Sequence, residues 1–476
     1  MLVHQAFRFE LDPSGRVGSA LASHAGAARF AYNWGLALVT ERLEGRRAMV
    51  VLAVRQGASA AEANVWARQR VPVPWNLYAL RREWNAAKAD VAPWWAENSK
   101  EAYSSGLDRL SRALGAFSDS RTGKRKGPRV GFPRFHRRSS RRSFRFTTGA
   151  FGLCDARHVR LPRIGRVRTK EATTALRRRV EAGTARVLSA TVSERAGRWY
   201  VSFGVEIERA ECVPSQAVGV VGVDVGVKVL AVLSTGEAIP NPKHLERYHR
   251  RMTRLQAELS RRRGPAKGRR PSRRWKSSQQ RLARAHAKVA DARADGLHKL
   301  TTRLATSYGT VVVENLNVKG MTASAKGSGH WRGKAGLNRA VLDASPAALR
   351  HQLAYKTRWY GSTLVVADRW YPSSKICSAC QTAKAKLPLT ERTFRCGHCG
   401  LVIDRDLNAA TNLASLVEVI GTASGAGTGQ GPVLANAQGE EKFMGSPRCS
   451  STNCEDGTSP TGPDKTVTAA EQSTAA

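Results

Sequence analysis

The amino-acid sequence predicts a multidomain α/β protein, and three observations lead to this prediction. The chain has 476 residues, which is enough for several separate hydrophobic cores. Strand-like runs of alternating or β-branched residues are interspersed with segments of helical periodicity. Four of the eight cysteines fall into two close pairs, which indicates a small metal-binding unit within the larger fold.

The charge balance indicates a polyanionic partner. Lys and Arg number 78 against 37 Asp and Glu, so the formal net charge is +41. Such an excess repels itself in a compact chain, and binding to nucleic acid is its most economical explanation. A membrane surface is the competing explanation, but the sequence has no run of about eighteen apolar residues and no signal-peptide pattern. We therefore expect a cytoplasmic protein without a membrane partner, associated with the bacterial nucleoid when it is bound to DNA.

The N-terminal part of the chain is predicted to contain one β-rich domain, formed by residues 1–40 and 140–212. Polar and apolar residues alternate in HQAFRFEL before a helical pattern begins at ASHAGAARF, and ERAGRWY separates two strand-like runs as a hairpin turn. Residues 41–139 are mostly helical by their pattern. We therefore expect a helical insertion within a β-rich domain.

Aromatic residues are interleaved with charges in two N-terminal segments. In the helical segment, most are expected to fill the core and a minority to stack on bases; the residues are Trp66, Trp75, Tyr78, Trp84, Trp94, Trp95 and Tyr103. In the basic segment 119–147, arginines alternate with phenylalanines, so phosphate contact with stacking is as well supported as a solvated face. These phenylalanines are Phe132, Phe135, Phe144 and Phe146.

Three isolated acids lie at predicted strand ends in the C-terminal half. Asp224 stands in the first strand of a predicted hairpin at 218–237, Glu314 ends the β-branched run TVVVE, and Asp406 precedes a helical run in VIDRDLNAATNLA. A buried, unpaired carboxylate is costly, so each acid calls for a cation. Converging carboxylates suit two Mg²⁺ ions, one activating water and one stabilising the leaving oxygen of a phosphodiester. We predict that these three acids are both the catalytic residues and the magnesium ligands.

Other interpretations of the acids stay open. Any one of them taken alone fits a solvent-facing strand end or a helix cap. Asp404 is expected to cap the helix or to support the site from behind. Asp368, at the end of the strand-like TLVVAD, is a rival for the third position.

The cysteine pairs predict a structural zinc site. The spacing is Cys-x2-Cys, fifteen residues, then Cys-x2-Cys, which is typical of a four-thiolate zinc ribbon. His398 lies between the second pair, but four cysteines already complete a tetrahedron. A redox dithiol is the alternative, and the presence of two pairs argues against it. The predicted zinc ligands are Cys377, Cys380, Cys396 and Cys399.

The C-terminal tail differs in composition from the rest of the chain. From Ser415 onward the sequence holds 3 basic and 7 acidic residues in a background rich in Gly, Ala, Ser and Thr. Such a segment cannot bury enough apolar surface to fold, so disorder is expected in residues 421–476.

The motifs GVDVGVKVLAV, VVVENLNVKGM, RWYPSSKICSAC, CGHCG and DRDLNAATNLA, in this order, resemble the TnpB nucleases of transposons and the compact type V CRISPR effectors. The resemblance covers roughly residues 1–415. It implies an RNase H-like (RuvC) nuclease domain with an inserted zinc ribbon, a β-barrel wedge domain and a helical recognition lobe. The implied ranges are 213–368 and 404–420 for the nuclease, 369–403 for the ribbon, 1–40 and 140–212 for the wedge, and 41–139 for the lobe.

The resemblance also implies an activity, namely magnesium-dependent cleavage of double-stranded DNA beside a short flanking motif, directed by a guide RNA. It carries the catalytic acids over as Asp224, Glu314 and Asp406. Segment 44–75 matches nothing in the family.

Two other functions compete with guided cleavage. A guided DNA-binding repressor is disfavoured because all three acids are present. A cut-and-paste transposase is disfavoured because its glutamate typically comes last. Whether the chain comes from a CRISPR locus or a transposon stays open.

Overall fold

The computed structural model describes residues 2–209, 219–266, 269–324, 331–388 and 390–423, except for the side chains of Trp331 and residues 418–423. The chain divides after Arg209 into two units, which are described separately. Within the described residues, no helix is both long and apolar enough to cross a membrane. Of the tail predicted to be disordered, residues 421–476, the first three are helical and the part beyond residue 423 lies outside the described residues.

The first unit contains two antiparallel sheets. Its strands are β1 (Leu2–Leu11), β2 (Ser143–Phe146), β3 (Gly152–Asp155), β4 (His158–Leu161), β5 (Gly165–Arg168), β6 (Ala185–Arg195) and β7 (Arg198–Glu208). One sheet has four strands in the order β1-β7-β6-β2, and the other has three strands in the order β3-β4-β5. The hairpin expected at ERAGRWY is confirmed, with Ala196 and Gly197 as its turn. The closed barrel stays a prediction.

Helices join the strands of this unit. They are α1 (Gly15–Arg55), α2 (Ala60–Arg70), α3 (Leu77–Val91), α4 (Lys100–Arg121) and α5 (Thr174–Glu181), with a 3-10 turn at Pro93–Glu97. The mostly helical character expected after residue 41 is confirmed. However, α1 continues without a break through residue 40, the expected boundary of the helical segment. Helix α1 and the four-stranded sheet contribute side chains to one hydrophobic core.

The aromatic residues divide between core and surface. Trp84 and Tyr103 are buried and stack with ring centroids 4.9 Å apart, as the core interpretation predicts. Phe144 and Phe146 are fully buried on β2, so the stacking role considered for them is wrong. Their alternation with arginine is the period of a strand with one face in the core. Tyr78 is 79% exposed.

The second unit is built on a five-stranded mixed sheet. Its strands are β8 (Val220–Val225), β9 (Val229–Leu233), β10 (Ala238–Pro240), β11 (Thr310–Glu314) and β12 (Thr363–Ala367). They lie in the order β10-β9-β8-β11-β12; β8, β11 and β12 are parallel, whereas β9 and β10 run antiparallel to their neighbours. The predicted hairpin around Asp224 and the predicted strand ending at Glu314 are both confirmed.

Helices connect and flank the strands of this unit, including the helical run predicted after Asp406. They are α6 (His244–Ser260), α7 (Arg273–Ser307), α8 (Val318–Met321), α9 (Trp331–Ala344), α10 (Pro346–Tyr360) and α11 (Arg405–Ala423). Leu297, Leu300 and Leu304 of α7 are buried in the sheet's core, because their spacing places them on one helical face. A short hairpin of β13 (Thr393–Arg395) and β14 (Val402–Asp404) precedes α11.

Helix α11 lies against β8 at the distance of backbone contact. A Cβ placed on Gly222 would lie 1.9 Å from the carbonyl oxygen of Ala410 and 2.7 Å from the backbone nitrogen of Ala414. Only glycine leaves room for this approach, because those neighbours are backbone atoms that cannot rotate away. The contact therefore fixes the position of the helix that carries Asp406.

We predict that Gly222→Ala lowers the free energy of unfolding by about 1–3 kcal/mol, because the added methyl group forces β8 and α11 apart. Denaturant unfolding of the purified protein measures this change. Gly336→Ala in α9 is the matched control, since a Cβ there has nothing within 4 Å, and alanine favours a helix by about 0.5–1 kcal/mol. Equal stability of the two variants would contradict the packing argument.

Candidate functional site

The second unit brings the three predicted acids together. Asp224 is close to the end of β8, Glu314 ends β11, and Asp406 lies in the first turn of α11. Because β8 and β11 are parallel and Val223 pairs with Val313, Asp224 and Glu314 lie side by side at the same edge of the sheet. The contact at Gly222 then places the start of α11 above this edge.

The electrostatics of Asp224 reflect this proximity. Burial, followed by the negative charges of Glu314 and Asp406, raises the pKa of Asp224 to about 8. Carboxyl groups that share a half-buried site repel one another, and a nearby cation relieves the repulsion. The oxygen-only donor set is the one that Mg²⁺ prefers. The donor chemistry of the three side chains suits a divalent cation, although among the described residues their ligand oxygens do not all lie within 4.8 Å of one another.

Two arginines orient Asp406. The Nε and Nη2 atoms of Arg405 lie 3.2 and 3.1 Å from Oδ1 of Asp406, and Nη1 of Arg392 lies 3.8 Å from its Oδ2. Arg405 is itself held because its Nη1 donates to the carbonyl oxygen of Glu391 at 3.2 Å. The positive charge of Arg405 also opposes the rise in the pKa of Asp224.

Asp404 caps the helix. Its Oδ1 accepts the backbone N–H groups of Asp406 and Leu407 at 2.9 and 3.1 Å, which confirms the predicted cap. Asp368, the rival acid, is exposed and accepts the backbone N–H of Trp370 at 2.8 Å. Asp368 is thus a turn-forming residue at the end of β12 rather than a member of the cluster around Asp224.

A serine that sequence reasoning missed holds Glu314. The hydroxyl of Ser373, which is 3% exposed, donates to Oε1 of Glu314. The carbonyl oxygen of Ser373 accepts from Nδ2 of Asn412 at 2.8 Å. Ser373 lies in the motif RWYPSSKICSAC, where its neighbours in sequence give no indication of this long-range contact. The bond restricts the rotamer of Glu314 at the edge of the sheet.

The four predicted cysteine ligands also converge. All four sulfur atoms lie within 4.8 Å of one another. Cys377 Sγ is 3.6 Å from Cys399 Sγ, and Cys380 Sγ is 3.5 Å from Cys396 Sγ. Tetrahedral Zn–S bonds of about 2.3 Å require sulfurs about 3.8 Å apart, so the cluster has the size of a zinc site. The side chain of His398 is exposed, which agrees with a closed four-sulfur set.

Hydrogen bonds to two of the four sulfurs favour the thiolate form that zinc requires, whereas hydrogen bonding among the thiols helps to raise the pKa of Cys399. The backbone N–H groups of Cys399 and His398 donate to Cys396 Sγ and lower its pKa. Hydrogen bonding with Thr382 lowers the pKa of Cys380 to about 6. Such N–H···S contacts are the arrangement in which a metal-binding thiolate is stabilised.

Two buried asparagines connect this cysteine cluster to α11. Asn408 Nδ2 donates to the carbonyl oxygen of Ile376 at 2.6 Å, while its Oδ1 accepts the backbone N–H of Ser378 at 2.9 Å. Asn412, one turn later, donates to the same Ile376 oxygen at 2.7 Å. Both asparagines are fully buried. Their spacing of four residues within an apolar helical face was the available sequence signal.

The second unit also carries a basic surface on α6, α7 and their connection. Its exposed arginines are Arg247, Arg250, Arg251, Arg254, Arg261, Arg263, Arg269, Arg270, Arg273 and Arg274. Met252 and Leu255 of α6 pack against Ala285 and Val289 of α7, so the two helices present these arginines from a fixed scaffold. A dense, well-anchored positive surface of this kind suits contact with a phosphate backbone.

Three family models match the chain. A model described as "Probable transposase" matches residues 202–325, a Cas12f1-like TNB domain model matches residues 347–413, and a helix-turn-helix domain model matches residues 1–47. In the structure, residues 2–47 form β1 and part of the single helix α1, so they contain no helix-turn-helix.

Curated relatives align over nearly their whole length. "Putative RNA-guided DNA endonuclease Rv2885c" of Mycobacterium tuberculosis is 37% identical over 470 residues, which cover 93% of this chain and 95% of that protein. "Putative RNA-guided DNA endonuclease InsQ" of Escherichia coli is 30% identical and covers 86% of this chain and 91% of its own length. A 142-residue segment is 28% identical to TnpB-like protein L79 of Acanthamoeba polyphaga mimivirus.

The structure also aligns with a chain of a Cas12f1–sgRNA–target DNA complex over 87% of this chain and 99% of that chain, at a TM-score of 0.43 and 13% identity. The sequence identity with the full-length relatives is sufficient to assign the chain to a family. By that identity and by its motifs, the chain belongs to the family of TnpB proteins and compact type V CRISPR effectors.

Proposed function

We propose that the protein is an RNA-guided DNA endonuclease that cleaves double-stranded DNA next to a short flanking motif. One RuvC-like site with two magnesium ions, formed by Asp224, Glu314 and Asp406, performs the cleavage. The observation that carries the proposal is the convergence of these acids, from distant parts of the chain, at one edge of a mixed sheet. Burial and, after it, the negative charges of Glu314 and Asp406 raise the pKa of Asp224 to about 8, as expected for converging acids.

Two further observations support the proposal. The names of the full-length relatives describe RNA-guided DNA endonucleases. The strand order, with three parallel strands flanked by an antiparallel pair, is compatible with the RNase H-like nuclease domain proposed for 213–368 and 404–420. The wedge domain and the recognition lobe remain proposals for 1–40 with 140–212 and for 41–139.

The chemistry follows from the donor set. Bound magnesium supplies a nucleophilic water and stabilises the leaving oxygen of the phosphodiester. Asp224, Glu314 and Asp406 hold the ions, Ser373 keeps the carboxylate of Glu314 oriented, and Arg405 keeps that of Asp406 oriented. The exposed arginines of α6 and α7 contact the phosphate backbone of the guide or the target without reading sequence.

The cysteine cluster is proposed to bind one structural zinc ion. Four thiolates leave no open coordination position, so the ion stabilises residues 369–403 and takes no part in cleavage. Through the bonds from Asn408 and Asn412, this segment also supports the start of α11. The zinc ion therefore affects the catalytic site only indirectly, by holding in place the segment that supports α11.

The test of the proposed function uses the protein purified with the RNA that it carries in its native host. Sequencing that RNA supplies the guide, and a plasmid library with a matching target and randomised flanks reports cleavage and the flanking motif. Repeat–spacer RNA indicates a CRISPR effector, and RNA from a transposon end indicates a TnpB nuclease. A protein that carries only heterogeneous RNA and cuts without regard to target would contradict guided cleavage.

We predict that Asp224→Asn reduces cleavage by about 100-fold or more, since the site loses one of its charged ligands, while target binding persists. Rates from plasmid cleavage and affinities from gel shift measure the two effects. Asp368→Asn is the matched control, because asparagine keeps the oxygen that accepts from Trp370 and the acid lies outside the cluster. Full cleavage by Asp224→Asn would disprove the assignment.

Ser373→Ala is expected to lower the cleavage rate constant about 10-fold and to raise the magnesium concentration needed for half-maximal cleavage, as removal of a supporting contact to a metal ligand typically does. Affinity for the target stays unchanged, because Ser373 lies beneath Glu314 and is buried. Magnesium titrations of single-turnover cleavage measure the effect. The neighbouring Ser374→Ala serves as control, and identical titrations for both variants would argue against positioning by Ser373.

Elemental analysis should find one zinc per chain. Cys396→Ser is expected to lose the zinc and to lower the thermal stability of the second unit, because a structural zinc contributes directly to folding. Cys154→Ser, which removes an exposed cysteine of the first unit, should keep both. Absence of zinc from the unaltered protein would exclude this proposal.

A further inference from the structure

Trp370 is the most exposed large apolar residue among those described in the structure. Its side chain is 82% exposed, although indole is the largest side chain and is usually well covered. The next residue, Tyr371, is half-buried and its hydroxyl donates to the carbonyl oxygen of Asn412 at 3.2 Å. The loop therefore partly buries the ring of Tyr371 and leaves the ring of Trp370 exposed to solvent.

The backbone that carries Trp370 is held on both sides. Asp368 accepts the N–H of Trp370 through Oδ1 at 2.8 Å and the N–H of Tyr371 through its carbonyl oxygen at 3.2 Å. The N–H of Ser373 donates to the carbonyl oxygen of Tyr371 at 3.0 Å. Consecutive turns of this kind fix the position from which the indole projects. Its exposure is thus a property of a defined loop conformation.

This loop lies at the edge of the sheet where the acids converge. It follows β12, whose last residue Ala367 is paired with Glu314, and three residues after Trp370 the hydroxyl of Ser373 binds Glu314. Three residues span at most about 11 Å between Cα atoms. Stacked bases are about 3.4 Å apart, so the indole lies within a few nucleotides of the acids.

The charge beside the indole suits the same ligand. Arg369 is exposed next to Trp370, and the chain as a whole carries a formal +41. An aromatic ring that offers its face to a base, next to a cation for the phosphate, is the usual arrangement of sites for single-stranded nucleic acid. A base inside a duplex has both faces covered by its neighbours, so such a ring can stack only on an unpaired base or on the terminal pair of a duplex.

We propose that Trp370 stacks on an unpaired base of the DNA strand that enters the site of Asp224, Glu314 and Asp406. The inference rests on the proposed function and specifies its immediate substrate, which is a single strand separated from its complement. Trp370 fixes the register of that strand, so that one particular phosphate reaches the acids.

The experiment uses guide-loaded protein and targets with a preformed bubble, in which a single abasic position is moved along the strand to be cut. For the unaltered protein, one abasic position near the cleaved bond should lower the rate. Trp370→Ala should cut the intact target about 5- to 150-fold more slowly, the range measured for loss of one stacked base. The variant should also be insensitive to the abasic substitution at that position.

Companion variants separate stacking from bulk apolar contact. Trp370→Phe should keep most of the rate and the abasic profile, whereas Trp370→Leu should behave like Trp370→Ala. Leu337→Ala, which removes an exposed apolar side chain of α9, should match the unaltered protein. If the unaltered protein cuts and Trp370→Ala keeps its rate and abasic profile, stacking is wrong while guided cleavage stands. If the unaltered protein cuts no target, the proposed function itself fails.

Discussion

The backbone contact between β8 and α11 is the constraint on which the rest of the second unit depends. A strand and a helix usually keep a layer of side chains between them, but at Gly222 the carbonyl oxygen of Ala410 lies where a Cβ would be. The close approach brings the first turn of α11 to the end of β8, so two acids from distant parts of the chain become neighbours. The asparagines of α11 then position the cysteine cluster, and Ser373, bound to Asn412, positions Glu314. The absence of a side chain at Gly222 therefore lets α11 bring Asp406, and the asparagines that bind the cysteine segment, close to the sheet.

Such a cluster of acids is tolerated because cations surround it. Arg405 and Arg392 lie within 4 Å of Asp406, and the backbone N–H groups at the start of α11 satisfy Asp404. For Asp224, burial and the acidic neighbours outweigh the opposing charge of Arg405 and raise its pKa. A divalent cation bound beside Asp224, as proposed, would relieve this repulsion.

The sequence allowed more of the candidate site residues to be identified than of the residues that hold them in place. Asp224, Glu314 and the cysteines were identifiable because an acid in an apolar strand or a regular cysteine spacing departs from its local background. Ser373, Asn408 and Asn412 were not, because their bonds join residues 30 or more positions apart. The four-residue spacing of the two asparagines was a local signal, but it did not indicate which atoms they bind. Helix α1 runs through residue 40, the boundary expected between the β-rich domain and the helical segment, because the helical pattern continues past that residue. The alternation of Phe144 and Phe146 with arginine fitted stacking on nucleic acid as well as a solvated face, but it is the period of a strand with one face in the core.

The cysteine cluster has a further meaning as a chain crosslink. The chain leaves β12 beside Glu314 and returns at Asp406, and residues 369–403 form a long excursion between the two. An ion bound by both Cys377 and Cys399 would link the beginning of this segment to its end. The two ends of the site would then be joined by a short path. The part of the excursion between Cys380 and Glu391 lies outside that tether, whereas Glu391 and Arg392 hold Arg405 and Asp406. Changes of length before Glu391 are therefore expected to leave the geometry of the acids intact.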